Sequence, residues 1–100
     1  MIVKKHVSGG KLVLAICDSN LKGKVIEEGE KSLDLSSDFY DGKETSEDDL
    51  KKLIKSSYIL NLVGEESIAL ARQLINIDSS NVLYIEKVPH AQVLFVSDGI

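Results

Sequence analysis

Three polar side chains of this chain stand in apolar surroundings, Asn61, His90 and Gln92, and with Glu65, which is close to Asn61 in the sequence, they could form a ligand-binding site. His90 is the only one of the four that can change its charge near neutral pH. If they converge beside the turn at Gly64, they form a pocket for a polar small molecule, with His90 and Glu65 available as an acid–base pair. The structural alternative is that Pro89 and His90 shape the start of a strand, while Asn61 hydrogen-bonds the backbone of the turn.

Five lysines form a second candidate site, this one for nucleic acid: Lys4, Lys5, Lys11, Lys22 and Lys24. Residues 1–24 contain one acid, whereas residues 25–50 contain ten acids and two lysines. Phosphate binding requires several cations to converge in space, and the adjacent rings of Phe39 and Tyr40 could stack on bases. The alternatives are a solvated charged surface for the lysines and closure of the core for the aromatic pair. The acidic region over 25–50 offers a surface for another protein.

Other chemistries lack the residues that they need. Cys17, His6 and His90 are far apart in the sequence, whereas structural zinc sites use close pairs of ligands. The chain has no glycine-rich phosphate loop and no serine in a nucleophile elbow. Glu65 and Glu66 would repel a phosphate at the helix start after Gly64. We therefore expect no catalytic residue, no metal and no cofactor, and we favour a protein that is not an enzyme.

Composition limits the class of protein. The chain has 100 residues, of which 43% are hydrophobic and 28% charged, which is typical of one small globular domain and not of a disordered chain. We expect a single domain over residues 1–100 with an ordered core over about residues 1–97. A net charge of −4 disfavours a protein that coats nucleic acid without specificity. The single cysteine, the missing signal peptide and the lack of a long apolar run predict a cytoplasmic protein outside the membrane.

The elements that would position these residues begin with strands. Residues 1–7 and 11–17 predict a hairpin closed by a glycine pair. The second of these strands is apolar on both faces, which predicts a central position, while the lysines of the first indicate an exposed edge. Residues 31–35 alternate like a short half-exposed strand. Two more strands are predicted within 82–96, with Pro89 at the start of the second because proline lacks the backbone donor of a central ladder.

Two helices are predicted between the strands. The first begins at Thr45 or Ser46, each of which has an aspartate three residues later as in a capping box. The second runs from Glu65 to about Asn76 with its apolar side chains on one arc. Residues 36–42 predict a loop or a single helical turn, and residues 21–29 and 58–63 fit either strand or helix. This order predicts an α+β two-layer sandwich, a mostly antiparallel sheet with two main helices packed on one face.

Several short motifs together resemble those of a known family. They are Lys4-Lys5-His6 followed by Ser8-Gly9-Gly10, Phe39-Tyr40-Asp41-Gly42, Asn61-Leu62-Val63-Gly64-Glu65 and Val88-Pro89-His90-Ala91-Gln92-Val93. From about residue 1 to 96 the chain resembles the small archaeal proteins catalogued as domain of unknown function 424. The resemblance implies an archaeal cytoplasmic protein with a two-layer α/β fold, and it implies no activity.

Two functions follow as hypotheses from these observations. The first is a non-enzymatic binding module that associates with RNA or the translation apparatus through the lysine-bearing strands and the aromatic pair. The second is a small-molecule-binding protein or enzyme with a pocket formed by Asn61, Glu65, His90 and Gln92. They differ in a simple geometric requirement, because the second needs His90 and Asn61 on the same side of the domain.

Overall fold

The structure is a computed structural model that describes residues 1–94 and Val96. Its strands, in chain order, are β1 Ile2–Ser8, β2 Lys11–Cys17, β3 Val25–Glu28, β4 Lys31–Asp34, β5 Lys43–Glu44, β6 Ile59–Val63, β7 Leu83–Ile85 and β8 Val88–Leu94. The helices are α1 Glu47–Ser56 and α2 Glu65–Arg72. Short 3-10 turns cover Ser19–Leu21, Asp38–Tyr40 and Ser79–Asn81. Neither α1 nor α2 is long and apolar enough to cross a bilayer.

Six of the strands form one mixed sheet in the order β5-β1-β2-β6-β8-β7, and β3 pairs with β4 in a separate hairpin. β2 and β6 run parallel, and the other neighbouring pairs are antiparallel. The prediction of a mostly antiparallel sheet with a central β2 is confirmed. Residues 59–63, which fitted either helix or strand, form the central strand β6 because both of their neighbours in the sheet supply ladder partners.

Both helices pack on one face of the sheet, as predicted. Leu50 and Ile54 of α1 and Ile68 and Ala71 of α2 lie in one buried cluster with the alternate strand residues Val3, Leu14, Ile16, Leu60, Leu62 and Ala91. Ser46 caps α1, because its side chain accepts a hydrogen bond from the Asp49 backbone N–H at 3.2 Å. We call this side of the sheet the helix face.

The other face of the sheet is covered only at one end. Ile2, Cys17, Val63 and Ile85 point there, and they form a second buried cluster with Ile26 and Leu35 of the β3–β4 region. Tyr40, in the 3-10 turn, packs against the same cluster. The segment 21–29 therefore contains the last residue of a 3-10 turn and β3, whose isolated buried residue Ile26 gives no repeating pattern in the sequence.

α2 is shorter than predicted. It ends at Arg72 rather than near Asn76, because the next two backbone N–H groups bond carbonyls three residues back: Gln73 to Leu70 at 3.1 Å and Leu74 to Ala71 at 3.0 Å. The apolar residues that suggested a longer helix, Leu74 and Ile75, still pack against the first cluster from this tightened end. The second C-terminal strand agrees with the prediction over 88–94, and the predicted run through Phe95 lies outside the described residues.

Candidate functional site

Asn61 and Gln92 meet on the half of the sheet that the β3–β4 hairpin leaves open. They stand opposite each other in the register of β6 and β8, and Gln92 Nε2 donates a hydrogen bond to Asn61 Oδ1 at 3.1 Å. Their neighbours on the same strands, Leu60, Leu62 and Ala91, point to the helix face. The amide pair therefore lies on the opposite side of the sheet, since side chains alternate along a strand.

His90 lies on the same side of the sheet as the amide pair. It stands opposite Val63 in the register and is a diagonal neighbour of Asn61. Its Nδ1 is buried and has no hydrogen-bond partner among the described residues. Burial lowers the pKa of His90 below its usual value and the charge of Lys31 lowers it further, while the nearby Val88 backbone partly opposes this shift. Burial therefore favours the neutral form of the imidazole.

Glu65 lies apart from these three side chains. It is the first residue of α2 and shares a shallow cleft with Pro89 and Tyr84 on the helix face. Because Pro89 and His90 are consecutive strand residues, they point to opposite faces. Gly64 is buried, and its backbone N–H donates to the Pro89 carbonyl at 2.8 Å. The structure thus brings Asn61, Gln92 and His90 onto one face and leaves Glu65 on the other, which gives His90 no carboxylate partner at Glu65.

Asp18 is the polar residue that caps the start of α2. The sequence predicts only a turn at this residue. The side chain is 5% exposed. Its carboxylate accepts hydrogen bonds from the backbone N–H groups of Glu66 at 3.1 Å and Ser67 at 2.8 Å, and from the Ser67 hydroxyl at 2.7 Å. It therefore occupies the helix N-terminus that would otherwise bind an anion.

Gly64 makes this cap possible. Its φ angle is +108°, and a Cβ at this position would lie 2.2 Å from the Asp18 carboxyl carbon. The signal that could have revealed the cap is the pairing of two strand ends: Cys17 stands beside Val63 in parallel register, so the residues that follow them must meet. That signal is available only once residues 59–63 are known to be a strand.

The five candidate lysines are spread over the molecule. Lys11 lies at the glycine turn with its Nζ 4.3 Å from the centre of the Tyr58 ring, whereas Lys22 donates to the Gly42 carbonyl at 3.0 Å near the other end of β2. The seven residues of β2 separate these two ends by roughly 20 Å. Lys4 and Lys5 are neighbours on β1 and point to opposite faces, and Lys24 is exposed beyond Lys22. By strand alternation Lys4 and Lys11 share a face with Asn61, but Lys11 stands at the hairpin end and its ammonium contacts the Tyr58 ring.

The two adjacent aromatic residues have different environments. Tyr40 packs into the second cluster, and burial raises its pKa to about 12. Phe39 is 38% exposed and stacks on the His6 ring, with centroids 4.5 Å apart and planes 10° from parallel. His6 Nε2 also lies 3.0 Å from the Phe39 carbonyl oxygen. Core closure therefore accounts for Tyr40, while Phe39 remains accessible beside the sheet.

These side chains define one surface, which we call the open face: Lys4, His6, Phe39, Asn61, Gln92 and Leu94. Leu94 is 49% exposed and stands opposite Ile59 in the register. Among the described residues of β1, β2, β6, β7 and β8, no aspartate or glutamate alternates onto this side, and Glu44 of β5 stands opposite Ile2 at the covered end. Residues 1–94 and Val96 contain no group of three His, Cys, Asp or Glu side chains that could hold a metal. The open face is thus suited to stacking and hydrogen bonding.

Comparison with known proteins supports the fold. A family model described as "Protein of unknown function (DUF424)" matches residues 6–96. No curated protein matches the chain. The crystal structure of an uncharacterized conserved protein from Methanopyrus kandleri is similar, with a TM-score of 0.78 and 23% sequence identity over 99% of this chain and 95% of that one. At this identity the similarity establishes a shared fold.

Proposed function

Since the chain belongs to the DUF424 family of proteins of unknown function, we propose a role from its own surface: a non-enzymatic binding module whose open face holds single-stranded RNA. The observation that carries this proposal is the combination, on one uncovered half of a sheet, of a stacked aromatic pair, an amide pair and a lysine. Among the described residues of β1, β2, β6, β7 and β8 no carboxylate lies on that side to repel a phosphate, and Glu44 of β5 stands at the covered end.

Each part of the open face has a matching group in RNA. The accessible ring of Phe39, held in place by its stack on His6, offers a platform for a base. Asn61 and Gln92 carry donors and acceptors that can bind base edges, which are accessible in single strands. Lys4 supplies a cation for a phosphate. Stacking and amide contacts thus supply most of the binding energy, because Lys5, Lys22 and Lys24 lie elsewhere and the Lys11 ammonium contacts the Tyr58 ring.

This distribution of charge predicts how strongly the affinity for RNA depends on salt concentration. For single-stranded nucleic acid, the logarithm of the binding constant falls with the logarithm of the salt concentration, with a slope of about −0.7 for each phosphate that the protein neutralises. With Lys4 as the contributing lysine, the slope for this protein should be about −0.7, much shallower than that of a protein that tracks the RNA backbone. A steep slope would indicate that Lys5, Lys11, Lys22 and Lys24 bind instead of the open face.

The experiment is a titration of fluorescently labelled single-stranded oligouridine followed by fluorescence anisotropy. We expect Phe39→Ala to weaken binding about tenfold, the loss of one stacked base, and Lys4→Gln to reduce the salt slope. The matched controls are Tyr84→Ala, an aromatic residue that is 58% exposed on the helix face, and Lys87→Gln, in the β7–β8 turn.

The controls decide between the open face and non-specific attraction. Both control variants should bind like the parent protein, and circular dichroism should show that all four variants are folded. The proposal fails if oligouridine does not bind, or if Tyr84→Ala and Phe39→Ala weaken binding equally.

The cellular part of the proposal is association with the ribosome or another RNA–protein particle in the cytoplasm of an archaeon. The buried Cys17 thiol is compatible with a reducing compartment. Sedimentation of native lysate should place the protein with RNA-containing particles, and ribonuclease should release it. Sedimentation that ribonuclease does not change would contradict this part.

A further inference from the structure

The edge of the main sheet along β1 is only partly occupied. β5 pairs with Ile2 and Val3, and β1 continues to Ser8. Ser8 and Lys11 flank the two-residue glycine turn and form a hydrogen-bonded pair. The backbone groups of Ser8, His6, Lys4 and Ile2 therefore bond β2. The intervening residues direct their backbone groups outward, as the Met1 carbonyl does when it accepts from Thr45 N–H at 2.9 Å. Lys5 and Val7 follow the same alternation beyond the end of β5.

A groove of about 800 Å³ runs along this edge. β1 forms one wall, α1 forms the other with Lys52, Leu53 and Ser56, and β5 closes one end. The groove therefore continues the position of β5 along the β1 edge. An extended segment placed there would extend the sheet by one strand and bond the outward groups of Lys5 and Val7.

The opposite edge of the sheet is protected in a way that β1 is not. At β7, the Val82 N–H donates to the Ser79 carbonyl at 3.2 Å, and the Glu86 N–H donates to Glu28 Oε1 at 2.6 Å. Only Tyr84 lies between them with outward backbone groups. Covering of this kind is how native sheets avoid unwanted pairing at their edges, and the described part of β1 beyond Val3 has no such cover.

The charges and exposed side chains of the groove indicate its occupant. Beyond β5 the lining carries Lys5 and Lys52, and Val7, just past it, is 75% exposed. The other charged residues of the lining, Asp41, Lys43, Glu44 and Asp49, lie towards the end that β5 fills. The free part of the edge thus combines positive charge with an apolar side chain. An added strand suited to it carries acidic residues alternating with apolar ones.

A second copy of this chain fits the edge less well. Antiparallel pairing of two β1 strands about His6 would set Lys5 opposite Val7 of the copy and bring the two Lys5 side chains onto one face as diagonal neighbours. Like charges at this spacing in a sheet are destabilising. We propose that the free edge of β1 accepts an extended acidic segment of a partner protein as an added strand.

The probe is a labelled eight-residue peptide of alternating glutamate and valine, titrated by fluorescence anisotropy and followed by amide hydrogen exchange in NMR. We expect binding with slowed exchange of the Lys5 and Val7 amides. Lys5→Glu should weaken binding about tenfold by replacing attraction with repulsion, and the matched charge reversal Lys87→Glu should not. The same peptide with methylated backbone nitrogens should bind weakly or not at all, because it cannot donate to the edge.

Val7→Pro tests the ladder from the side of the protein. It removes an outward N–H, a position at which edge strands tolerate proline, so the variant should fold and lose binding. Three results would overturn the proposal: no binding at about 1 mM peptide, the weak limit of specific association; equal binding of a lysine–valine peptide; or protection of amides away from β1. Dimerisation of the free protein with Lys5 and Val7 protected would also overturn it by assigning the edge to a second copy.

Discussion

At the scale of single residues, the structure depends on polar groups whose partners are distant in the sequence. Asp18 and Ser67 are 49 positions apart and share a buried hydrogen bond of 2.7 Å. The sequence shows an aspartate after a strand, which is ordinary turn chemistry. The identity of its partners depends on the parallel pairing of β2 and β6, and no local pattern contains that information. His90 differs, because its position near a strand start and its place among apolar residues could both be predicted.

Replacing Asp18 tests whether the buried cap stabilises the fold. Asp18→Ala should lower the free energy of unfolding by about 2 kcal/mol, because it removes a helix cap and leaves buried donors without an acceptor. Asp18→Asn should cost less, since one amide oxygen remains. The matched control is Asp78→Ala, whose exposed carboxylate accepts from Ser80 N–H at 3.0 Å. Urea denaturation measures both, and an Asp18→Ala variant as stable as the Asp78→Ala variant would contradict the prediction.

At the scale of elements, the patterns that repeat were predictable and those that do not repeat were not. The Gly9–Gly10 hairpin, the Ser46 cap and the two C-terminal strands each leave a local signature. β6 carries a continuous apolar run broken only by Asn61, which strand and helix share. The end of α2 was also beyond prediction, because Leu74 and Ile75 keep the helical spacing of apolar residues while the backbone tightens into a turn.

The turn between β7 and β8 contains a local conflict that predicts a stabilising substitution. Glu86 and Lys87 have φ angles of 49° and 66°, a conformation that side chains with a Cβ adopt at a cost. Glu86→Asn combined with Lys87→Gly supplies the residues that a two-residue hairpin turn favours. The double variant should be about 1 kcal/mol more stable, and its thermal unfolding midpoint should rise.

The β1–β2 hairpin tests the same preference of glycine for positive φ angles in the opposite direction, by replacing glycine with alanine. Gly9 and Gly10 have φ angles of 58° and 76°, and a Cβ at either would meet no atom within 4 Å. Gly9→Ala and Gly10→Ala should therefore destabilise through the backbone angle alone, by about 1 kcal/mol each. If alanine at Gly9 or Gly10 does not change the free energy of unfolding, the stabilisation expected from the substitutions in the β7–β8 turn has no physical basis.

At the scale of the whole molecule, one sheet carries a buried cluster on each face, and only one of the two could be predicted from the sequence. The cluster under α1 and α2 follows from helical periodicity and was predicted as a layer. The cluster beneath β3 and β4 gathers single apolar residues from six separate segments, among them Ile26 and Leu35. Its placement also determines which half of the sheet stays open. Strand periodicity was therefore enough to place His90 and Gln92 on one face, whereas the boundary of the open face and the position of Glu65 on the other face depend on this long-range packing.

Acid should destabilise the whole molecule in two stages. The folded pKa of His90 lies below its ordinary value of 6.5, so its contribution to stability is present above the unfolded pKa and is lost as the pH falls through the folded pKa. Hydrogen bonds also lower the pKa values of Asp34, Glu44 and Asp78. Their contribution has the same sign and is lost at lower pH. Urea midpoints measured against pH should show both stages, and His90→Gln should remove the upper one.

Alkali should destabilise the molecule through the opposite kind of shift. Burial raises the pKa of Tyr40 from 10.0 to about 12 and also raises that of Cys17 above 9.0. A raised folded pKa gives a contribution that is full below the unfolded pKa and is lost as the pH rises towards the folded one. The free energy of unfolding should therefore peak between about pH 7 and 8.5, above the ordinary histidine pKa and below those of cysteine and tyrosine. Tyr40→Phe should flatten the alkaline loss above pH 10 while leaving the acid stages in place, and an unchanged alkaline loss in this variant would show that Tyr40 ionises without unfolding the second cluster.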